Sequence, residues 1–440
     1  MNEQRPLAPK PPHTSPAYAN YVLAVMVLMY TMNYLDRFVL TILVSDIKRD
    51  LQLSDSMMGF LMGPAFALFY VVGGFPIARW ADRGSRRLVI GLGLSFWSLF
   101  TALSGLARSA SELALARVCI GVGEAAGAAP AHSLISDYFP PERRATALSF
   151  FQGGVYLGSM LGLVIGGVLA EPLGWRATFI AVGLPGLAVA LLIRWTVREP
   201  PRGAFDPPHA ASEKASIREV VVTLGRKPTF WYVALGAGIA SFGGTGLGFW
   251  MPTFFERVHD MSKLEIGLRF GIIQYVSAFL GAILTGRIAD WLGGRDLRWY
   301  AWVGGISVAM MLPFFTLLLL WPDGREAIYF VIPCGLLSAG WAPVAYSVAQ
   351  NLAPPHMRAM ASAFIILFIT FLGTGLGPWA VGFLNDWFAP RYGDEAVRWS
   401  LLIMLWICLL GAMLFALAAR TIRRDMPARE PLAPGTPDIG

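Results

Sequence analysis

Long apolar runs, each closed by a short polar or basic stretch, recur from one end of the chain to the other. They occupy residues 20–46, 56–79, 88–107, 111–138, 145–170, 176–197, 229–256, 264–288, 299–320, 326–352, 359–384 and 397–420. Each can cross a hydrocarbon layer of ~30 Å as a helix, which takes roughly 20 residues. Lipid offers no partner to backbone N–H and C=O groups, so a spanning segment is either a helix or a strand of a closed barrel. Barrel strands alternate apolar and polar positions over only ~10 residues, and these runs do not. The pattern predicts an all-α membrane protein with twelve transmembrane helices.

A polar interval rich in Pro and charge, 198–228, parts the runs six and six and reads as a cytoplasmic linker. The expected layout is a tail over 1–19, a six-helix bundle over 20–197, the linker, a second bundle over 229–420 and a tail over 421–440. Two stretches repeat across the divide. Pro140-Pro141-Glu142-Arg143-Arg144 has an echo in Pro354-Pro355-His356-Met357-Arg358, and the Ala78 to Arg87 stretch has one in Gly286 to Arg295. Two pseudo-symmetric six-helix bundles are the layout of transporters that rock one bundle against the other around a midplane site, so the repeat predicts alternating access.

Composition agrees: 55% of residues are hydrophobic and 14% charged, against ~25% charged in soluble domains. The formal charge of +7 does not point to nucleic acid. With both termini cytoplasmic, the inner segments carry roughly twice as many Lys and Arg as the outer loops. That excess suits anionic membrane lipid. The expected location is the cell inner membrane or plasma membrane, multi-pass. Residues 1–19 are polar and Pro-rich, so no cleavable signal is expected. Cys119, Cys334 and Cys408 fall inside apolar runs and read as packing residues, with no disulfide, metal or cofactor expected.

Four charges break the apolar pattern: Asp36 and Arg37 in the first run, Arg117 and Glu124 in the fourth. Each costs about 2.5–3.5 kcal/mol at a helix centre, so they must be paired or wet. Arg117 and Glu124 are seven residues apart and share a helix face. Glu124 with Arg37 and Arg117 with Asp36 is the expected arrangement, although the sequence alone does not fix which charge pairs with which. A carboxyl that gains or loses an arginine neighbour can take up or release a proton, so these four are the candidate proton-coupling set. Static ion pairs joining two helices are the alternative. Arg37, Arg117 and Glu124 also head the candidate substrate cavity, since the guanidinium fork binds phosphate or carboxylate in two-pronged fashion. Asn33, Tyr30, His132 and Gln152 are candidate polar lining, and Trp250, Tyr346 and Phe368 supply an aromatic wall from the second half. Charge on one side and aromatic rings on the other suit an amphipathic anion.

The sequence Asp82-Arg83-Gly84-Ser85-Arg86-Arg87 and its weaker copy around Asp290 and Arg295 read as gates. Asp82 is expected against the start of the eleventh helix, whose N-terminus favours a carboxylate. Asp290 is expected against the fifth helix near Arg143 and Arg144. The first motif resembles the signature of the major facilitator superfamily, with Ala78 standing where its first Gly is usual. Within that superfamily the chain is similar to the Spinster family of lipid and lysolipid transporters. Asn33-Tyr34-Leu35-Asp36-Arg37, Phe96-Trp97-Ser98-Leu99, Gly121-Val122-Gly123-Glu124-Ala125 and the stretch Val197 to Ala204 carry the likeness. The resemblance implies a role in proton sensing and transport for Glu124, Arg37, Asp36 and Arg117. It also implies a lysolipid or sphingoid phosphate, with protons, as cargo of a monomeric carrier. Related elements occur in symporters of small organic anions such as sugar acids, which is the alternative. No ATP-binding loop, His-Glu-x-x-His or Gly-x-Ser-x-Gly elbow is present, so no enzyme is expected. A membrane sensor that does not transport is the remaining alternative from another class.

Overall fold

The computed structural model describes residues 15–205, 217–338 and 340–426. Expectations for residues 1–14, 206–216 and 427–440 therefore lie outside the described residues. Among the described residues all regular structure is helical. Ten helical stretches are long and apolar enough to cross a membrane, and two of them, Pro141–Thr196 and Met360–Asp425, run to 56 and 66 residues. Each of the two long stretches is a hairpin. The first turns at Gly174, where φ of +72° takes a residue without a Cβ, and the second turns at Gly393, with φ +54°. Counted singly, the spanning helices among the described residues are twelve.

We label them α1 (Pro16–Ile42), α2 (Asp55–Arg83), α3 (Arg86–Ser104), α4 (Ala110–Tyr138), α5 (141–173) and α6 (175–196) in the first half. The second half holds α7 (Pro228–His259), α8 (Lys263–Gly293), α9 (Arg298–Leu320), α10 (Gly324–Leu352), α11 (358–392) and α12 (Ala396–Asp425). After twelve crossings Ser15 and Met426 share one face, the near face. The far face is where α1 ends. There the chain leaves the helix at Leu43, short of the apolar run's end at residue 46, because a separate amphipathic helix, Val44–Leu51, begins with Asp46, Lys48 and Arg49 on it. The linker interval also carries a helix, Ile217–Gly225, whose Val220 and Leu224 bury against the second half.

Small residues decide how closely the helices approach. Gly154, Gly158, Gly162 and Gly166 of α5 lie along α1, and a Cβ at Gly162 would stand 2.8 Å from the Leu35 carbonyl oxygen and 2.9 Å from Phe38 Cβ. Contacts between the halves follow the same rule. A Cβ at Gly59 of α2 would meet the Pro378 carbonyl oxygen of α11 at 2.5 Å, and one at Gly267 of α8 would meet the Leu163 carbonyl oxygen of α5 at 2.6 Å. Phe38 of α1 packs edge-on against Phe249 of α7 and Tyr275 of α8, with centroids 5.1 and 5.3 Å away. At the far face, hydrogen bonds and ion pairs cross between the halves: Asp386 accepts from Asp55 and Ser56, Arg257 and Asn385 donate to Asp55, and Lys263 donates to Asp46.

Several spanning helices are interrupted where the site will be. Helix α2 breaks at Gly63, followed by Pro64, and α4 breaks in the turn after Glu124, before Pro130. Helix α11 is a π-helix over Ile369–Leu376, and its Thr374 and Gly375 carbonyls face the α2 break at Gly63. Such interruptions free backbone groups for side chains to use.

Candidate functional site

Helices α1 and α4 bring the four charges to neighbouring positions in the first half. Arg37 Nε donates to Glu124 Oε2 at 2.6 Å, and the Glu124 carboxylate has no exposure while the Arg37 side chain keeps 12%. The Glu124–Arg37 pairing expected from the sequence is formed. Glu124 closes the first segment of α4 at its break, so the acid sits where the helix unwinds. The Arg37 guanidinium also lies 4.8, 4.6 and 5.2 Å from the ring centres of Tyr34, Phe66 and Tyr70. Aromatic faces stabilise a cation kept from water. Phe66 meets a second cation, since Arg117 stands 5.3 Å from the centre of the same ring.

The other expected pair is not a direct one. Asp36 accepts from Thr101 Oγ1 at 3.0 Å, and Arg117 Nε donates to the Leu61 carbonyl oxygen at 3.2 Å. The physical reason is the α2 break, since the turn that ends at Met62 is followed by Gly63 and by Pro64, which has no N–H. A buried arginine takes the freed carbonyl. Arg117 is itself buried, and among the described residues its Nη1 finds no hydrogen-bond partner.

An aromatic file leads from this pair toward the near face. Tyr30 stacks on Phe151 at 4.3 Å and meets Tyr34 edge-on at 5.2 Å, while His132 meets Phe151 at 5.2 Å. Asn33 is buried on α1 close to Gly127 of α4. Gln152 is exposed. From the second half, Tyr346 of α10 lies within electrostatic reach of Tyr34 and Tyr70. Phe368 packs at right angles to Trp231 at 6.1 Å. Trp250 lies on α7. It is fully buried, and its Nε1 donates to the Pro378 carbonyl oxygen at 2.8 Å, fastening α7 to α11 within the second half.

The near-face motif is wired into its own half. Asp82 and Arg83 are exposed at the end of α2, and Arg202 Nη2 donates to the Gly84 and Ala81 carbonyls at 2.8 and 2.5 Å. Arg86 is buried, pairs with Asp137 of α4, and donates through Nε to Glu199 at 2.8 Å. Arg87 donates its backbone N–H to Glu199 at 2.9 Å and its Nη1 to the Val197 carbonyl oxygen at 3.0 Å. Burial pushes the Glu199 carboxyl up, but the Arg87 N–H, the Arg86 guanidinium and the Ser85 hydroxyl outweigh it and hold the acid below the usual glutamate range. Asp82, expected against α11, and Asp290, expected against α5, are both exposed, and Arg295 lies on the Trp291 ring at 4.2 Å. The acids that receive the basic cluster are Asp137 and Glu199. Sequence reasoning overlooked Asp137, whose place at the end of an apolar run and opposite a basic loop was the available signal.

A third charged cluster, at the far face, went unread. Asp55, buried at the start of α2, accepts from Lys48 Nζ at 2.6 Å, from Arg257 Nη1 and Nη2 at 2.6 and 3.0 Å, and from Asn385 Nδ2 at 3.1 Å. These partners are up to 330 residues apart in the chain, so no local pattern joins them.

The twelve-helix fold sets a buried arginine–glutamate pair between α1 and α4 of its first half, and the matching family decides its kinship. The model of the Major Facilitator Superfamily matches residues 26–378. The chain belongs to the major facilitator superfamily. Within it, the chain is Spinster-like: it is 30% identical to protein spinster homolog 1 of Homo sapiens, over 93% of this chain and 82% of that one. It is 33% identical to an MFS-type efflux pump of Mycolicibacterium smegmatis, over 93% of this chain and 95% of the relative. A crystal structure of a bacterial homolog to the human lysosomal transporter Spinster, inward-facing and unoccupied, shares 32% identity with a TM-score of 0.88. That comparison covers 94% of this chain and 100% of the other. The occupied form of the inward-facing homolog matches with a TM-score of 0.84 at 30% identity. As a superfamily member the protein is a multi-pass membrane transporter of small molecules.

Proposed function

We propose that the protein is a proton-coupled secondary transporter working by alternating access, with an amphipathic anion as cargo, a lysolipid or sphingoid phosphate above all. The observation that carries this reading is the buried Arg37–Glu124 pair, at 2.6 Å, set among Tyr34, Phe66 and Tyr70. One guanidinium cannot serve two anions at once with its full fork. Protonation of Glu124 frees Arg37 for an anionic headgroup, and departure of the headgroup returns Arg37 to the carboxylate. The aromatic faces around the cation suit an acyl or sphingoid chain next to the charge, and the resemblance to the Spinster family favours that substrate class over a sugar acid. The halves, 20–197 and 229–420, move as bodies, with the near face cytoplasmic as the basic residues favour. The bonds crossing at the far face then correspond to an inward-facing state.

The test uses purified protein in proteoliposomes under an imposed pH gradient, with fluorescent lysophosphatidylcholine, sphingosine phosphate and a sugar acid as separate cargoes. Glu124→Gln is expected to abolish gradient-driven uptake of the lipid anion while substrate exchange without a gradient persists. Gradient-driven uptake that survives in Glu124→Gln would sink the coupling role. Uptake of the sugar acid alone would transfer the reading to small organic anions.

A further inference from the structure

In the half of α12 nearer the far face, the surface turned away from the bundle is a groove. Trp399, Leu402, Ile403, Trp406, Ile407 and Leu410 recur at helical spacing and form its floor, and Trp399, Ile403, Trp406 and Leu410 are exposed. Phe388 and Tyr392, one turn apart on α11, and Thr316 and Leu320, one turn apart on α9, supply its walls. Together they bound about 700 Å³, lined almost wholly by apolar side chains. From Trp399 to Leu410 the floor runs about 16 Å at ~1.5 Å per residue, which is the depth of one leaflet in a ~30 Å hydrocarbon layer. At its outer end the groove meets an aromatic rim, where the ring centres of Tyr392 and Trp399 lie 5.4 Å apart and those of Phe388 and Tyr392 5.9 Å apart. The Arg391 guanidinium rests 5.3 Å from the centre of the Tyr392 ring.

We infer that this groove is a binding site for an anionic phospholipid of the far leaflet, its acyl chain along α12 and its phosphate on Arg391. Arg391 is what selects the headgroup. It is exposed, and among the described residues no carboxylate stands within ion-pair distance of it. The two acids that follow it are engaged elsewhere: Glu395 pairs with Arg398 at 2.7 Å, and Asp394 lines a polar pocket with Arg49 and Arg257. A guanidinium lying on a ring turns its face to the ring and keeps its in-plane N–H fork free, and that fork matches a phosphate. The aliphatic stem lies along apolar surface while the charge stays at headgroup depth. The aromatic rim favours the same depth, since Tyr and Trp settle where hydrocarbon meets headgroups. A bare helix face touches a passing chain on one side only, whereas walls from α9 and α11 add dispersion contacts that an ordinary neighbouring lipid lacks. The groove lies on the second half, on α9, α11 and α12, and Arg37 and Glu124 lie on α1 and α4 of the first, so it is a site separate from the proposed cargo cavity.

The test places the full chain in phosphatidylcholine nanodiscs that carry a trace of phosphatidylglycerol or of phosphatidylcholine with a diazirine in its acyl chain. After irradiation the labelled positions are mapped by peptide mass spectrometry. Labelling of residues 388–392 and 399–410 is expected to be about tenfold stronger from the phosphatidylglycerol, the scale of one arginine–phosphate contact. Arg391→Gln is expected to level the two lipids, and Ile403→Trp, which fills the groove, to remove the labelling by both. Arg391 and Ile403 are exposed, so either replacement leaves the packed interior untouched. Equal labelling by the two lipids in the parent, or a preference that persists in Arg391→Gln, overturns the inference. A crosslinked dimer with the groove unlabelled would seat a second copy there and overturn it as well. Glu124→Gln is expected to leave the labelling unchanged, and its loss in that variant would reassign the label to the cargo path and end the case for a separate site.

Discussion

Glu124 and Asp55 are both buried carboxylates that meet an arginine, and they are wired differently. Glu124 is held by Arg37 of its own half, at 2.6 Å. Asp55 is held at the same distance by Arg257 of the other half. A rotation of one half against the other leaves the first pair unchanged and must break the second. The first pair therefore answers to something small that enters the cavity, a proton or an anion, and the second answers to domain motion. Identical chemistry supports coupling in one place and gating in the other, because the fold puts one pair inside a rigid body and the other between two.

The largest expected effect separates the two pairs by stability. Arg37→Met leaves Glu124 buried and unpaired with no bulk movement able to hydrate it, a loss of about 3–5 kcal/mol. Arg257→Gln strands Asp55 as well, but the halves can part and let water in, so its loss is expected to be the smaller one. Thermal unfolding of the purified variants in detergent checks the order. An equal or larger loss for Arg257→Gln would show that the far face cannot open to relieve it, and the distinction between the pairs would fail.

What could be read from the sequence follows the same division. Twelve helices were legible because apolar length is a local property, and the charges of α1 and α4 stood out because each interrupts an apolar run. Helix geometry left the pairing among the four charges open, and only the packing of α1 on α4 decides for Arg37–Glu124. Arg117 instead took the Leu61 carbonyl, and that acceptor exists only because Gly63 and Pro64 end a helical turn inside an apolar run. The far-face cluster was invisible for another reason. Lys48, Asp55, Arg257 and Asp386 sit at the ends of spans, where charged residues are ordinary, and only tertiary packing makes them one group. Asp82 and Asp290 are expected to meet partners across the divide, and both are exposed.

A second experiment sharpens the comparison with neutral residues. Gly162 packs α5 on α1 within one half, and Gly59 packs α2 on α11 between halves. A methyl at either place lands within 2.8 Å of backbone, at the Leu35 carbonyl in one case and at the Pro378 carbonyl and Trp379 Cα in the other. Gly162→Ala cannot be relieved without unpacking its bundle and is expected to cost about 1–3 kcal/mol of stability. Gly59→Ala can be relieved by parting the halves. It is expected to leave the unfolding temperature nearly unchanged while lengthening far-face distances, measured by double electron–electron resonance between spin labels at Arg108→Cys and Pro322→Cys. A large stability loss for Gly59→Ala would mean that the interface between the halves is as rigid as the bundles themselves.

The smallest effect concerns the near-face cluster, which joins the first half to the start of the linker and should behave like the Glu124 pair rather than like the Asp55 pair. Glu199 is held below the usual glutamate range by Arg87, Arg86 and Ser85 against the opposing push of burial. A carboxyl whose folded value is depressed adds stability that is fully present above its unfolded value and disappears as pH falls through the folded one. Glu199→Gln should therefore cost about 1–2 kcal/mol at neutral pH, and the gap between variant and parent should close as the solution is taken below the glutamate range. Far-face distances should not move at any pH. A gap that persisted in acid would assign the Glu199 contribution to shape rather than charge, and a far-face shift would mean that the Arg86 cluster senses the position of the other half after all.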